Sequence, residues 1–148
     1  ANATKLAFPN RPVVNFCGDG AFGLTLQELD TAVRHNLAVV HVINNDGGWG
    51  MCKAGQLALY GDNALDGIDQ DFSSANYTEI AKGFGCYAER VESVQDIKPA
   101  LERAFNSGKP AVLDVKTQLT PHPMFGVMAQ VVFQGVPLSM PDGPPPGA

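Results

Sequence analysis

Hydrophobic positions in the first half of the chain alternate between short continuous runs and a spaced pattern. Residues 12–17 form a short apolar run with β-branched side chains, and residues 37–43 form a second run that is almost continuously apolar. Between them, Leu26, Leu29 and Val33 recur at the spacing of one helix face. Short continuous runs are typical of buried strands in parallel sheets. The pattern therefore predicts a strand–helix–strand unit, which is right-handed in such sheets.

The ends of the first helix are also predicted. Thr25 with Glu28 three residues later fits a capping box, which places the helix start at Thr25. Asn36 follows the basic residues Arg34 and His35, and asparagine is one of the residues that close helices. The helix is therefore expected to end at Asn36.

The alternation resumes in the second half. The predicted elements are a helix over 75–84 closed by Gly85, a strand over 86–91, a helix ending near Asn106, and a strand over 111–116. That second helix starts at Ser93 or Asp96, and Pro99 favours the later start because proline is tolerated in a first turn. Alternating strands and helices predict an α/β fold, a doubly wound parallel sheet with helices on both faces.

Two stretches lack this rhythm. Residues 44–74 are interrupted by six glycines, and only residues 51–60 suggest local order, which indicates a functional or mobile loop. The last stretch contains seven of the eleven prolines. It is predicted to wrap another surface or to be partly disordered. The predicted organisation is a domain over residues 1–117 followed by a proline-rich tail over residues 118–148.

Composition narrows the classes of function. The 148 residues are 45% hydrophobic and 17% charged, as in an ordinary globular domain. A net charge of −5 opposes binding to nucleic acid or to anionic lipid. No apolar run reaches the roughly 18 residues of a membrane span, so neither nucleic acid nor a membrane is expected as a partner. Three cysteines without paired spacing favour a reducing, cytoplasmic location.

Two polar segments follow the predicted strands of the first unit, and both are expected at one edge of the sheet, where open α/β folds bind ligands. The first, residues 18–23, reads Gly-Asp-Gly-Ala-Phe-Gly, and the second, residues 44–48, reads Asn-Asn-Asp-Gly-Gly. The first segment fits the G-x-G-x-x-G dinucleotide fingerprint, with Asp46 available to a ribose. That hypothesis conflicts with a helix start at Thr25 and leaves Asp19 facing a pyrophosphate. An NAD(P)-binding oxidoreductase domain remains an alternative, as does a non-catalytic α/β subunit.

A metal ion would resolve the repulsion between Asp19 and a diphosphate. The carboxylate of Asp19 and the amide oxygen of Asn45 are hard donors of the kind that bind Mg²⁺ or Ca²⁺. The backbone carbonyl of Gly47 could supply a third ligand. Such an ion would bridge the protein to the diphosphate, while backbone N–H groups of residues 18–23, the glycine segment, bind phosphate oxygens. His41, in the second strand, is interpreted instead as a core imidazole with satisfied hydrogen bonds.

These residues also carry a resemblance. Gly18-Asp19-Gly20, followed after 23 residues by Asn44-Asn45, resembles the signature of thiamine-diphosphate enzymes. Residues 18–37 resemble the acetolactate-synthase-like branch of that family. The likeness continues at residues 81–85, 90–93 and 107–115 and covers about residues 5–117.

The resemblance implies the thiamine-diphosphate-binding fold, with thiamine diphosphate and Mg²⁺ as cofactors. Asp19, Asn45 and the Gly47 carbonyl would be metal ligands. The implied cofactor-binding residues are Gly18, Asp19, Gly20, Ala21, Phe22, Asn45, Gly47, Gly48 and Trp49, the glycine segment acting through its backbone.

The resemblance also implies parts that lie elsewhere. The family's activating glutamate belongs to a pyrimidine-binding domain of the same or a neighbouring subunit, so no catalytic residue is expected in this chain. It is expected to be a fragment or one part of a larger assembly, a homo- or hetero-oligomer, and inactive alone. The implied activity is that of a carbon–carbon lyase or transferase, a decarboxylase or carboligase acting on a 2-keto acid or an acyl-CoA.

Overall fold

The computed structural model describes residues 1–61 and 65–119. Its elements in chain order are α1 (Asn2–Ala7), β1 (Val13–Gly18), α2 (Asp19–Gly23), α3 (Glu28–Arg34), β2 (Val39–Asn45), α4 (Gly50–Tyr60), α5 (Tyr77–Gly83), β3 (Tyr87–Val91), α6 (Val94–Asn106) and β4 (Ala111–Lys116). Apart from residues 118 and 119, the predicted proline-rich tail lies outside the described residues.

The four strands form one parallel sheet in the order β1-β2-β4-β3. Strands β1 and β2 are consecutive in sequence and adjacent in the sheet. The next strand, β3, lies at the opposite edge of the sheet, and β4 lies between β2 and β3. This arrangement confirms the predicted α/β fold with a parallel sheet. It also brings the carboxyl ends of β1, β2 and β4 to one edge.

Helices cover both faces of the sheet. On one face, side chains of α2, α3 and α5 pack against Ile43 and Val112. On the other face, Ala100 and Ala104 of α6 are fully buried against the apolar side chains of β2, β3 and β4. Burying apolar side chains on both faces stabilises the central strands.

β1 departs from the prediction of a buried strand. Val14 and Phe16 are 48% and 72% exposed. Their register partners are Val40 and Val42, so they lie on the face that α6 covers farther along the sheet. Because β1 is an edge strand and the core cluster beneath α6 does not include it, this part of the face is uncovered among the described residues.

The predicted capping box at Thr25 is wrong. Helix α2 begins at Asp19 directly after β1, and α3 begins only at Glu28 without a side-chain cap. Thr25 instead belongs to a turn, in which its carbonyl accepts from the Glu28 N–H at 3.0 Å. The helix can start at Asp19 because the Asp19 carboxylate accepts from the Gly20 N–H, one of the first-turn groups that lack an intrahelical acceptor.

The later start predicted for α6 is also wrong. The helix begins at Val94 and contains Pro99, which removes one intrahelical hydrogen bond. Burial of Ala100 and Ala104 against the sheet offsets that loss. The predicted helix ends hold: Asn36 closes α3 at φ 52°, and Gly85 follows α5 at φ 92°.

The segment between β2 and α5 has the local order that the sequence indicated for residues 51–60, with one bridge in addition. It contains α4 and an antiparallel bridge between Gly48 and Asp71. Residues 1–50 and 70–119 form one compact unit, and the described residues 51–61 and 65–69 belong to a second. Within the described ranges, no helix has the length and apolar character that crossing a bilayer requires.

Candidate functional site

The parallel register of β1 and β2 brings the two predicted metal ligands together. Gly18 and Asn44 are register partners in β1 and β2. Asp19 and Asn45 are the residues that follow them, so they lie next to each other at the same edge of the sheet. Asn45 is still part of β2 rather than of the following loop, which fixes its backbone. Both side chains are buried, with exposures of 2% for Asp19 and 4% for Asn45.

The Gly47 N–H joins these two side chains. It lies 3.0 Å from Oδ2 of Asp19 and 3.1 Å from Oδ1 of Asn45, and donates to both. Gly47 has φ 82°, a left-handed conformation that glycine adopts without strain. One backbone group therefore holds a carboxylate oxygen and an amide oxygen close to the same point.

The charge at this point is unbalanced. Burial raises the pKa of Asp19, and the negative charge of Asp46 raises it further. Hydrogen bonds from the backbone N–H groups of Gly20 and Gly47 act in the opposite direction. A divalent cation would oppose both destabilising effects because it attracts the ionised carboxylate.

The donor set fits a hard cation. Two oxygens of different residues converge, and Mg²⁺ prefers oxygen ligands while retaining water or phosphate oxygens in its shell. The Gly47 carbonyl accepts from the Phe72 N–H at 2.8 Å and keeps a second lone pair for a metal. Among the described residues, no group of three His, Cys, Asp or Glu side chains could hold a metal. A metal here therefore requires amide and backbone oxygens.

Two residues that the sequence analysis did not single out flank Asn45. Its Nδ2 donates to Oδ1 of Asp114 at 2.7 Å, and Nζ of Lys116 donates to its Oδ1 at 3.3 Å. Asp114 is fully buried. A carboxylate inside the apolar run 111–115 was the signal that could have identified it, because buried charges require partners.

Trp49 forms one wall beside the glycine segment. A Cβ placed on Gly20 would come within 2.7 Å of Cε3 of the Trp49 ring. The ring also packs edge-on against Phe72, with centroids 5.3 Å apart. Backbone bonds from Trp49 N to Gln70 O and from Phe72 N to Gly47 O fix these segments together. Gly20 is therefore a position where the backbone approaches an aromatic ring too closely for any side chain.

Two cavities meet at Asp19. One, of about 280 Å³, is lined by Asp19, Asn45 and Gly47 together with the cations Arg90 and Lys116. The other, of about 350 Å³, is lined by Asp19, Gly20 and Trp49. Asp19 thus lines both a cavity that has basic side chains in its lining and a cavity lined by the indole ring.

The remaining predicted site residues occupy different environments. Gly18 ends β1, and Ala21 lies in the first turn of α2, where its N–H has no intrahelical acceptor. The Phe22 side chain is 4% exposed and packs in the core, so only its backbone could face a ligand. Gly48 pairs with Asp71 in the antiparallel bridge.

His41 is buried as predicted, but its hydrogen bonding is incomplete. Nδ1 lies 3.2 Å from Nδ2 of Asn15, and the ring meets Phe22 edge-on at 5.8 Å. Nε2 has no hydrogen-bond partner within the described ranges. Burial lowers the pKa of His41 to about 4. The imidazole is therefore neutral at neutral pH and belongs to the core.

Residues 1–115 match the family model described as "Thiamine pyrophosphate enzyme, C-terminal TPP binding domain". The chain belongs to this family. Thiamine diphosphate is therefore its family cofactor, and the predicted likeness to the acetolactate-synthase-like branch is confirmed.

Its similarities to individual proteins agree. The acetolactate synthase large subunit IlvG of Mycobacterium tuberculosis is 47% identical over 117 residues, which are 79% of this chain and 21% of that protein. The 2-hydroxyacyl-CoA lyase of Arabidopsis thaliana is 36% identical over 115 residues, 76% of this chain and 20% of that protein. The chain thus spans about a fifth of the length of these relatives.

A solved structure supports the fold. The thiamine diphosphate-dependent 4-hydroxybenzoylformate decarboxylase of Rhodococcus jostii RHA1 aligns with a TM-score of 0.73 at 24% identity, covering 82% of this chain and 23% of that one. The predicted helix start at Thr25, one ground against the dinucleotide hypothesis, is wrong because α2 begins at Asp19. Family membership, rather than the helix start, now decides against it.

Proposed function

We propose that this chain binds the diphosphate of thiamine diphosphate through Mg²⁺ held by Asp19, Asn45 and the Gly47 carbonyl. The observation that carries the proposal is the convergence of the Asp19 and Asn45 oxygens on the Gly47 N–H, at 3.0 and 3.1 Å. The bond to Asn45 is a local Asx-type contact between residues two apart, but local chemistry does not account for the Asp19 oxygen, which comes from the start of α2, 28 positions from Gly47.

The surrounding residues have distinct roles in this proposal. Backbone groups of Gly18, Gly20, Ala21 and Phe22 face the phosphate oxygens, and the absence of a Cβ at Gly20 leaves the indole ring in place beside them. Gly48 and Trp49 continue along the cofactor, with Phe72 holding the ring. When bound, the cofactor supplies a carbon nucleophile and an electron sink. This chain holds and orients it.

We further propose that the chain serves a decarboxylase or carboligase, a carbon–carbon lyase or transferase acting on a 2-keto acid or an acyl-CoA. The relatives' names, acetolactate synthase and 2-hydroxyacyl-CoA lyase, support this range of activities. The activating glutamate would come from a pyrimidine-binding domain of the same or a neighbouring subunit, in a homo- or hetero-oligomer. The chain would then be inactive alone. Three free cysteines favour the cytoplasm.

The direct test is a titration of the full-length protein with thiamine diphosphate, in Mg²⁺ and again in EDTA. The wild-type protein should bind in Mg²⁺ and lose most of its affinity in EDTA, and Asp19→Ala should bind weakly in both. Asp30→Ala is the matched control, because Asp30 is an exposed carboxylate paired with Arg34 on α3. Equal affinity of the Asp19→Ala and wild-type proteins in Mg²⁺ would refute the proposal, and metal-independent NAD(P) binding would favour the dinucleotide alternative.

A further inference from the structure

Asn45 can coordinate a cation only if its side-chain amide is oriented with Oδ1 toward the metal. The two ends of an asparagine amide have nearly the same shape and opposite hydrogen-bonding roles. If the group turned over, two N–H donors would replace the oxygen at the site. An element that fixes this orientation is therefore part of the binding machinery, although it does not touch the ion.

The neighbours of Asn45 divide according to hydrogen-bonding role. On one side are donors only, the Gly47 N–H at 3.1 Å and the Lys116 ammonium at 3.3 Å, and both meet Oδ1. On the other side is the Asp114 carboxylate, whose Oδ1 accepts from Nδ2 at 2.7 Å. All three contacts require the same orientation.

Asp114 is the acceptor in this arrangement and has an unusual position. It is 0% exposed in the middle of β4, and its Oδ2 has no hydrogen-bond partner among the described residues. Leaving a carboxylate oxygen without a partner in a core is costly, so packing alone does not account for an aspartate here. Its register partner is Ile43, two residues before Asn45, which places it on the same face and directly below the Asn45 amide.

From this geometry we infer that Asp114 is a positioning residue for the cation site. It holds the Asn45 amide with Oδ1 directed toward Asp19 and the metal, through a charge-assisted hydrogen bond. This inference rests on the proposed function, because it assigns Asn45 as a metal ligand. It adds a residue that is neither a ligand nor part of the glycine segment.

The test is the dissociation constant of Mn²⁺, measured by electron paramagnetic resonance on the full-length protein with saturating thiamine diphosphate. Asp114→Leu removes the acceptor at similar volume and should weaken Mn²⁺ binding about 10- to 100-fold, the usual cost of losing a partner of a metal ligand. Leu113→Ala is the matched control. Leu113 is 1% exposed in the same strand and packs in the core cluster beneath α6, on the face of the sheet opposite Asp114. This variant should therefore lose thermal stability, while its Mn²⁺ affinity stays within about twofold of the wild-type value.

If Asp114→Leu does not fold, two more conservative variants still test the inference: Asp114→Asn alone, and a swap in which Asn45 and Asp114 exchange side chains. Asp114→Asn retains a weaker acceptor and should bind Mn²⁺ at least about threefold less tightly. Asn45→Asp with Asp114→Asn reverses the hydrogen bond but still presents an oxygen to the metal, so it should restore affinity to within about twofold of wild type. A purely structural role would lower the melting temperature in the Asp114 variants without this loss and rescue.

The outcomes separate the inference from the proposed function. If the wild-type protein shows no Mn²⁺ binding that depends on thiamine diphosphate, the proposed function fails and the inference falls with it. If the wild type binds but folded Asp114→Leu stays within about threefold, Asp114 does not position Asn45. An unchanged Asp114→Asn variant, or a swap that binds no better than that variant, overturns the inference equally.

Discussion

The contact between Gly20 and Trp49 gives a sharp test of the site geometry. An alanine Cβ at position 20 would lie 2.7 and 2.8 Å from two atoms of the indole ring. Gly20 has no positive φ, so alanine can adopt its backbone conformation, and the ring is what must move. The ring also packs edge-on against Phe72.

Gly23 supplies the matched control within the same helix. A Cβ there meets nothing within 4 Å. Gly23→Ala should therefore stabilise the protein by about 0.5–1 kcal/mol, since glycine is less favourable than alanine in a helix. Gly20→Ala gains the same helical benefit but adds the cost of overpacking, about 1–3 kcal/mol. The two variants should differ in free energy of unfolding by that overpacking cost.

Urea unfolding followed by circular dichroism measures this difference. Because Trp49 is the only tryptophan, its fluorescence reports separately on displacement of the ring, and emission should shift to longer wavelength in Gly20→Ala. In a Trp49→Leu background the penalty at position 20 should largely disappear. Equal stability of the two alanine variants, or an undiminished penalty without the indole, would refute the packing of the ring on Gly20.

Three further predictions concern other parts of the unit. Because burial lowers the pKa of His41 from 6.5 to about 4, the unfolded chain binds a proton in that interval and the folded chain does not. The free energy of unfolding should fall by up to about 3 kcal/mol between pH 6.5 and 4, and by less in His41→Gln, as urea titrations at several pH values would show. Gly85, at φ 92°, should cost about 1–2 kcal/mol when changed to alanine, whereas Gly83→Ala in the open last turn of α5 should be neutral or stabilising; thermal melts compare them. Lys116→Met removes an ammonium that competes with the metal for Oδ1 of Asn45, while Gly47 and Asp114 still orient the amide, so Mn²⁺ should bind several-fold more tightly to the full-length variant; unchanged or weaker binding would contradict that competition.

Local features of the sequence predicted the strands and several helix ends. Continuous apolar runs indicated β2 and β4 because both strands are buried on both faces. Asn36 and Gly85 marked helix ends because asparagine and glycine adopt the positive φ values found there. The capping box at Thr25 failed because the helix starts earlier, at Asp19, whose carboxylate accepts from the Gly20 N–H, and Thr25 lies in the turn before α3.

The burial of a strand's side chains also depends on which elements pack against that strand. The apolar Val14 and Phe16 resemble buried strand residues, but β1 is at the sheet edge and α6 packs elsewhere. The candidate site was predictable as two polar segments at adjacent strand ends. The contribution of Asp114 was not, because it depends on β4 lying beside β2, an order that skips one strand in sequence.

The central claim is that Asp19 and Asn45 jointly hold the cation that anchors the diphosphate. Crystals of the full-length protein grown with thiamine diphosphate and Mn²⁺, measured near the manganese absorption edge, test it most directly. We predict one strong anomalous peak at about 2.1–2.3 Å from the Asp19 carboxylate, the Asn45 amide oxygen and the Gly47 carbonyl, in contact with diphosphate oxygens. A bound cofactor whose metal lies away from both side chains would contradict the account.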